Sequence, residues 1–128
     1  MMTSRLAAAR KLAFIAQDRH CFYCGVPMWQ SQSDELPSSN KIPKGIAAGL
    51  RCTAEHLTAK QDGGTDCPSN IVAACLTCNR RRHARKVPPP PDMYRSLVCK
   101  GLARRKWHNP ELFKLGLVSA LPNATAQL

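Results

Sequence analysis

Two cysteine pairs, Cys21-x-x-Cys24 and Cys75-x-x-Cys78, constrain this chain more than any other feature. Two thiolates at that spacing grip one side of a tetrahedral ion, and a second pair completes a four-cysteine site of the structural zinc type. The chain needs such a staple. Leu, Ile, Val and Phe supply only 25 of its 128 residues, and 19 Lys and Arg against 8 Asp and Glu leave a formal charge of +11. That balance borders on disorder, and a small chain offsets its conformational entropy poorly by burial alone. A structural zinc ion contributes about 10 kcal/mol or more of folding free energy in small zinc peptides. Two blander readings compete. The cysteines would be buried small hydrophobes, or redox dithiols, although Cys21 lacks the strand-then-helix setting of a thioredoxin-like pair. Cys52, Cys67 and Cys99 read as inert thiols. The longest apolar stretch near the start, Leu12 to Ala16, is too short for a signal-peptide core, so the expected location is cytoplasmic and reducing, where seven cysteines argue for metal rather than disulfides.

The first 17 residues are basic, Ala-rich and free of acids, in the manner of an organelle transit peptide. The cysteine motif at Cys21 leaves no spacer for cleavage, so the expectation is a helix instead. No run of about 20 apolar residues is available for a membrane span. Residues 3–18 should be helical, capped by Thr3 or Ser4, with Leu6, Ala9, Ala13 and Ala16 on one face. Residues 26–50, rich in Pro, Gly and Ser, read as a long loop or a loose hairpin with an insertion. Leu50–Leu57 and Ile71–Cys75 read as strands, with a glycine-containing surface loop over 58–70. Leu76–Lys86 reads as a helix that ends before the proline run Pro88–Pro91. Asp92 should cap a further helix to about Trp107, Asn109-Pro110 should start a short one, and the last ten residues should fray. The expected organisation is an N-terminal helix (1–20), a metal-stapled domain (21–86, with 26–50 as insertion), a polyproline linker (87–91) and a helical extension (92–128).

Between the pairs stand Glu55-His56, Gly63-Gly64 and Asn70, and Asn79 follows the last cysteine. Histidine is the side chain suited to proton transfer near neutral pH, and a carboxylate suits a hard divalent ion. Asn79 and His83 are four residues apart and share a helix face. The order CxxC, acid-His, Gly-Gly, Asn, CxxC-Asn over residues 21–86 resembles the HNH nuclease family. The resemblance implies an α+β fold: a small ββα-metal core stapled by four-cysteine zinc, flanked by N- and C-terminal helices. It implies His56 as the general base, Glu55 and Asn79 as ligands of a catalytic Mg²⁺ or Mn²⁺, and His83 as a further ligand used by some members. It implies that Asn70 fixes the loop and orients the base, and that Cys21, Cys24, Cys75 and Cys78 hold structural Zn²⁺. Two positions depart from the common pattern: Glu55 stands where many members have Asp, and Ala59 where many have Pro.

The implied activity is metal-dependent hydrolysis of DNA phosphodiester bonds. Arg80, Arg81, Arg82, Arg85 and Lys86 follow the motif directly, and Arg104, Arg105 and Lys106, with Lys100, form a second cluster. Both are expected to contact phosphates, with Arg82 as the clamp on the scissile one. Few aromatic residues offer a stacking platform, so duplex DNA is the simpler partner. Two sites, hence a homodimer, would be needed for a concerted double-strand cut, and a monomer would nick. Small basic proteins of this kind suit a bacterial or phage setting. The competing readings are a zinc-dependent nucleic-acid-binding module without catalysis and a zinc-stabilised interaction or redox protein.

Overall fold

A computed structural model describes residues 4–120. Two short strands, β1 (Cys52–His56) and β2 (Ile71–Cys75), pair antiparallel with Cys52 opposite Cys75 and His56 opposite Ile71. β2 runs directly into helix α3 (Leu76–His83). Together they form the expected ββα unit. A two-stranded sheet is marginal by itself and needs a packed face. Helix α1 (Ser4–Ala16) supplies it by lying against both strands. Its buried residues are Ala9 and Phe14, while Ala16, expected on that face, is exposed. The small Ala9 lets the helix approach closely, and Phe14 carries most of the buried bulk. Just beyond α1, the Gln17 carboxamide accepts from the Ala73 N–H at 2.9 Å and donates to the Ala73 carbonyl at 2.8 Å. The outer edge of β2 is thereby paired.

The segment read as a loop, 26–50, is ordered and contributes to the core. Val26, Met28, Leu36, Ile42, Ala47 and Leu50 are buried. It contains single 3₁₀ turns at Ser33–Glu35 and Ser39–Lys41 and a short helix, α2 (Lys44–Ala48). The Glu35 carboxylate accepts from the backbone N–H groups of Gln30, Ser31 and Gln32 at 3.0, 3.1 and 3.0 Å. These hydrogen bonds hold Glu35 below the usual carboxylate range. Trp29 joins the strand system, because Cys52 N–H donates to its carbonyl at 2.7 Å.

Helix α4 (Pro91–Ala103) buries Tyr94, Val98 and Leu102 along one stripe. It starts at Pro91, so Asp92 lies in its first turn rather than at the cap, where its Oδ1 accepts from Met93 N–H. It stops at Ala103, short of the expected Trp107. Arg105 and Trp107 take left-handed φ values of 56° and 79°, which reverse the chain. The short helix α5 (Pro110–Lys114) follows, capped by Asn109 as expected. One apolar core runs from Phe14 through the four paired cysteines to Val118. Thr3 and most of the tail expected to fray lie outside the described residues. No helix among the described residues is long and apolar enough to cross a membrane.

Candidate active site and metal centre

The four thiols meet. Cys21 and Cys24 sit at the tip of a tight reversal in which Cys21 N–H donates to the Val26 carbonyl and Gly25 takes φ 76°. Cys75 ends β2 and Cys78 lies in the first turn of α3. All four are buried, and their sulfurs lie within 4.8 Å of one another. Cys24 Sγ and Cys75 Sγ are 3.8 Å apart. A tetrahedral ion with Zn–S bonds of about 2.3 Å spaces its sulfurs at roughly 3.8 Å. N–H donors converge on the same sulfurs: Tyr23 and Cys75 backbone on Cys21 at 3.4 and 3.3 Å, and Cys78 backbone on Cys75 at 3.4 Å. Burial pushes the Cys24 and Cys78 thiols up. In so dry a site, four thiolates need a cation among them. The donor set fits a metal ion on its own chemistry.

A second site lies in a cleft between the end of β1 and α3. Glu55, His56, Asn79 and His83 line it, with Lys60 and Arg85 among its walls. Glu55 is 1% exposed, and its charge is shared out. Oε1 meets His83 Nε2 at 2.7 Å, and Oε2 accepts from Arg82 at 3.1 Å and from the Tyr23 hydroxyl at 3.0 Å. Burial and the Glu55 charge push the Tyr23 phenol up, so it stays a donor. Asn79 Nδ2 donates to Thr53 Oγ1 at 2.9 Å and to the Ala54 carbonyl at 3.3 Å. Its oxygen is then the atom suited to a cation.

His56 is half-buried, and its Nε2 meets Asp66 Oδ1 at 2.8 Å. Lys60 Nζ stands 3.7 Å from the same oxygen. The His56 hydrogen bond, then the Lys60 charge, hold Asp66 below the usual carboxylate range. An ionised Asp66 accepts, so Nε2 carries the hydrogen and Nδ1 is left as the basic nitrogen. Asn70, expected to brace the loop and orient the base, is spent on the loop alone. Its Oδ1 accepts from Thr58 N–H at 2.8 Å, and its Nδ2 donates to the carbonyls of Thr58 and Thr65 at 3.1 and 2.8 Å. Asp66 is the residue in contact with the His56 imidazole.

The cations divide. Arg80, Arg81, Arg85, Lys86, Arg104, Arg105 and Lys106 are exposed. Arg82 is not among them, and its expected place as a phosphate clamp is corrected: it is 2% exposed. Besides Glu55, its guanidinium donates to the carbonyls of His56 at 2.8 Å, Leu57 at 2.9 Å and Pro89 at 3.1 Å. A side chain so fully engaged joins β1, α3 and the proline segment and has no face for DNA. Sequence reasoning missed Asp66, Tyr23, Trp107 and His108. A tyrosine inside a CxxC and an acid before Cys67-Pro68 carry no spacing signal, because their partners are long-range.

Residues 41–85 match the family model of the HNH endonuclease. Over that segment the chain is similar to HNH endonucleases. Its fold is the α+β, ββα-metal type, with the four-cysteine cluster beside it. No curated protein matches the chain, and no solved structure matches it. The HNH match starts after Cys24 and ends before Trp107, so half of the cysteine cluster lies outside the matched segment.

Proposed function

We propose that this chain is a metal-dependent HNH endonuclease that hydrolyses DNA phosphodiester bonds. The observation that carries the reading is the convergence of Glu55, Asn79 and His83 on the cleft that holds His56, itself backed by Asp66. His56 takes the proton of the attacking water at Nδ1, and Asp66 stabilises the imidazolium that results. Glu55 and Asn79, with His83 as the further donor, hold the divalent ion, Mg²⁺ or Mn²⁺. When bound, that ion supplies Lewis-acid stabilisation of the charge that grows on the phosphate and the leaving oxygen. Arg82 and Tyr23 fix the buried Glu55 carboxylate in place. Lys60 and Arg85 stand where a phosphate would enter, and the exposed arginines and lysines of both basic clusters hold the backbone of duplex DNA. Zn²⁺ at Cys21, Cys24, Cys75 and Cys78 serves the fold alone.

One observation favours a second reading, a nucleic-acid-binding module without catalysis. Glu55 already has three protein partners, as a purely structural carboxylate would. Incubation with supercoiled plasmid separates the two. Nicking or linearisation that requires Mg²⁺ or Mn²⁺ and stops with EDTA supports the nuclease. Salt-sensitive binding with intact plasmid under every divalent ion supports the module.

A further inference from the structure

The cysteine cluster has two side-chain hydrogen-bond partners that come from far along the chain. Trp107 Nε1–H points at Cys78 Sγ at 3.3 Å, and His108 Nε2 lies 3.1 Å from Cys24 Sγ. One pair of cysteines therefore receives the indole N–H and the other has an imidazole nitrogen within hydrogen-bond reach, in addition to the backbone donors on Cys21 and Cys75. The segment is held in place on several sides. The Arg81 guanidinium lies 4.8 Å above the Trp107 ring and donates to the Trp107 carbonyl at 2.5 Å. Tyr94 meets the same ring edge-on at 5.9 Å. The indole also packs on α4 at Gly101, where a Cβ would stand in van der Waals contact with Trp107 Cβ and Cε3 at 3.4 Å. The left-handed turns at Arg105 and Trp107 bring the two side chains to the sulfurs.

Such backbone conformations are costly for residues with side chains and persist where the surroundings over-determine them. Partners of metal ligands fix ligand orientation and charge, and their loss typically weakens metal binding about 10–100-fold. We propose that residues 104–109 form a cap over the metal-bound cysteines, in which Trp107 and His108 donate to the thiolates of Cys78 and Cys24 and govern how slowly the ion leaves. The proposal is independent of catalysis. It rests on the cluster holding an ion, and that premise is measured in the same preparation.

The test uses the full chain with one substitution at a time. Trp107→Phe keeps an aromatic ring without the N–H, and His108→Leu keeps bulk without a donor. Met93→Ala, at a residue 60% exposed on α4, is the control. Metal content is determined first, then release is followed with excess chromophoric chelator. Circular dichroism identifies any variant that fails to fold. Each variant is also loaded with Co²⁺ for its thiolate-to-metal charge-transfer bands. The proposal expects about tenfold faster release from either folded variant, wild-type release from Met93→Ala, and bands moved to lower energy as the sulfurs lose their donors. Wild-type release rates with unmoved bands in a folded Trp107→Phe or His108→Leu overturn it. A wild-type chain that binds no metal overturns the premise and the cap together.

Discussion

At the scale of single residues, the most instructive is Arg82. Its position on α3, within a run of arginines, reads as a DNA-facing cation. Yet the side chain turns inward and neutralises Glu55 while closing three backbone carbonyls. Removing one partner of a buried ion pair costs about 3–5 kcal/mol, because the other charge stays buried alone. Arg82→Met should therefore lower unfolding free energy by about that amount in urea titrations. Arg85→Met, on the exposed side of the same segment, should change it by no more than about 0.5 kcal/mol. Asp66 teaches the complementary lesson. The family resemblance implies that Asn70 fixes the loop and orients His56; its side chain bonds the loop at Thr58 and Thr65, and the carboxylate four residues earlier is the one that reaches the imidazole.

At the scale of elements, periodicity and punctuation made much of the ββα unit legible. Both strands and α3 fall within their expected spans, because Gly, Pro and cysteine spacing mark their ends. The double glycine between the strands was legible for the same reason, and at Gly64 the need is steric: a Cβ there would lie 1.7 Å from the Thr58 carbonyl oxygen. The 26–50 segment was not legible. Its serines and prolines mask apolar residues spaced for turns rather than for a helix or strand, and Glu35 organises them through backbone contacts no pattern reveals. Glu35 gives a pH prediction. Its folded pKa is depressed, so its contribution is present above the ordinary carboxylate range and is lost as pH falls through the lowered value. Glu35→Gln should melt below wild type at pH 7, and the difference should shrink as pH falls through the carboxylate range. Thermal melts across that range check it, and a difference independent of pH would assign the effect to packing.

At the scale of the whole molecule, the composition posed the problem that the cysteines solve. A core poor in large aliphatic residues is completed by four buried thiols and by helices from both sides of the HNH segment. The C-terminal helices were legible as helices, from Pro and Asn punctuation. Their seat over the cysteine cluster was not, because Trp107 reaches Cys78 by a turn with left-handed residues that no local signal encodes. The net charge of +11 is displayed mainly by exposed arginines and lysines. Each phosphate neutralised adds about 0.9 to the slope of log affinity against log salt. Arg85→Ala should lower the slope for duplex DNA by about that much. An unchanged slope in fluorescence anisotropy titrations would remove Arg85 from the contact surface.

The proposed role of His56 as a base in a divalent-metal cleft is open to a single kinetic comparison. Single-turnover cleavage of plasmid DNA with Mg²⁺ or Mn²⁺ is compared between wild type and His56→Ala, with DNA affinity and bound metal at the cysteine cluster measured on the same samples. The expected result is a rate loss of about 10²–10⁴-fold, with affinity and cluster metal unchanged. Cleavage by His56→Ala at the wild-type rate would contradict it.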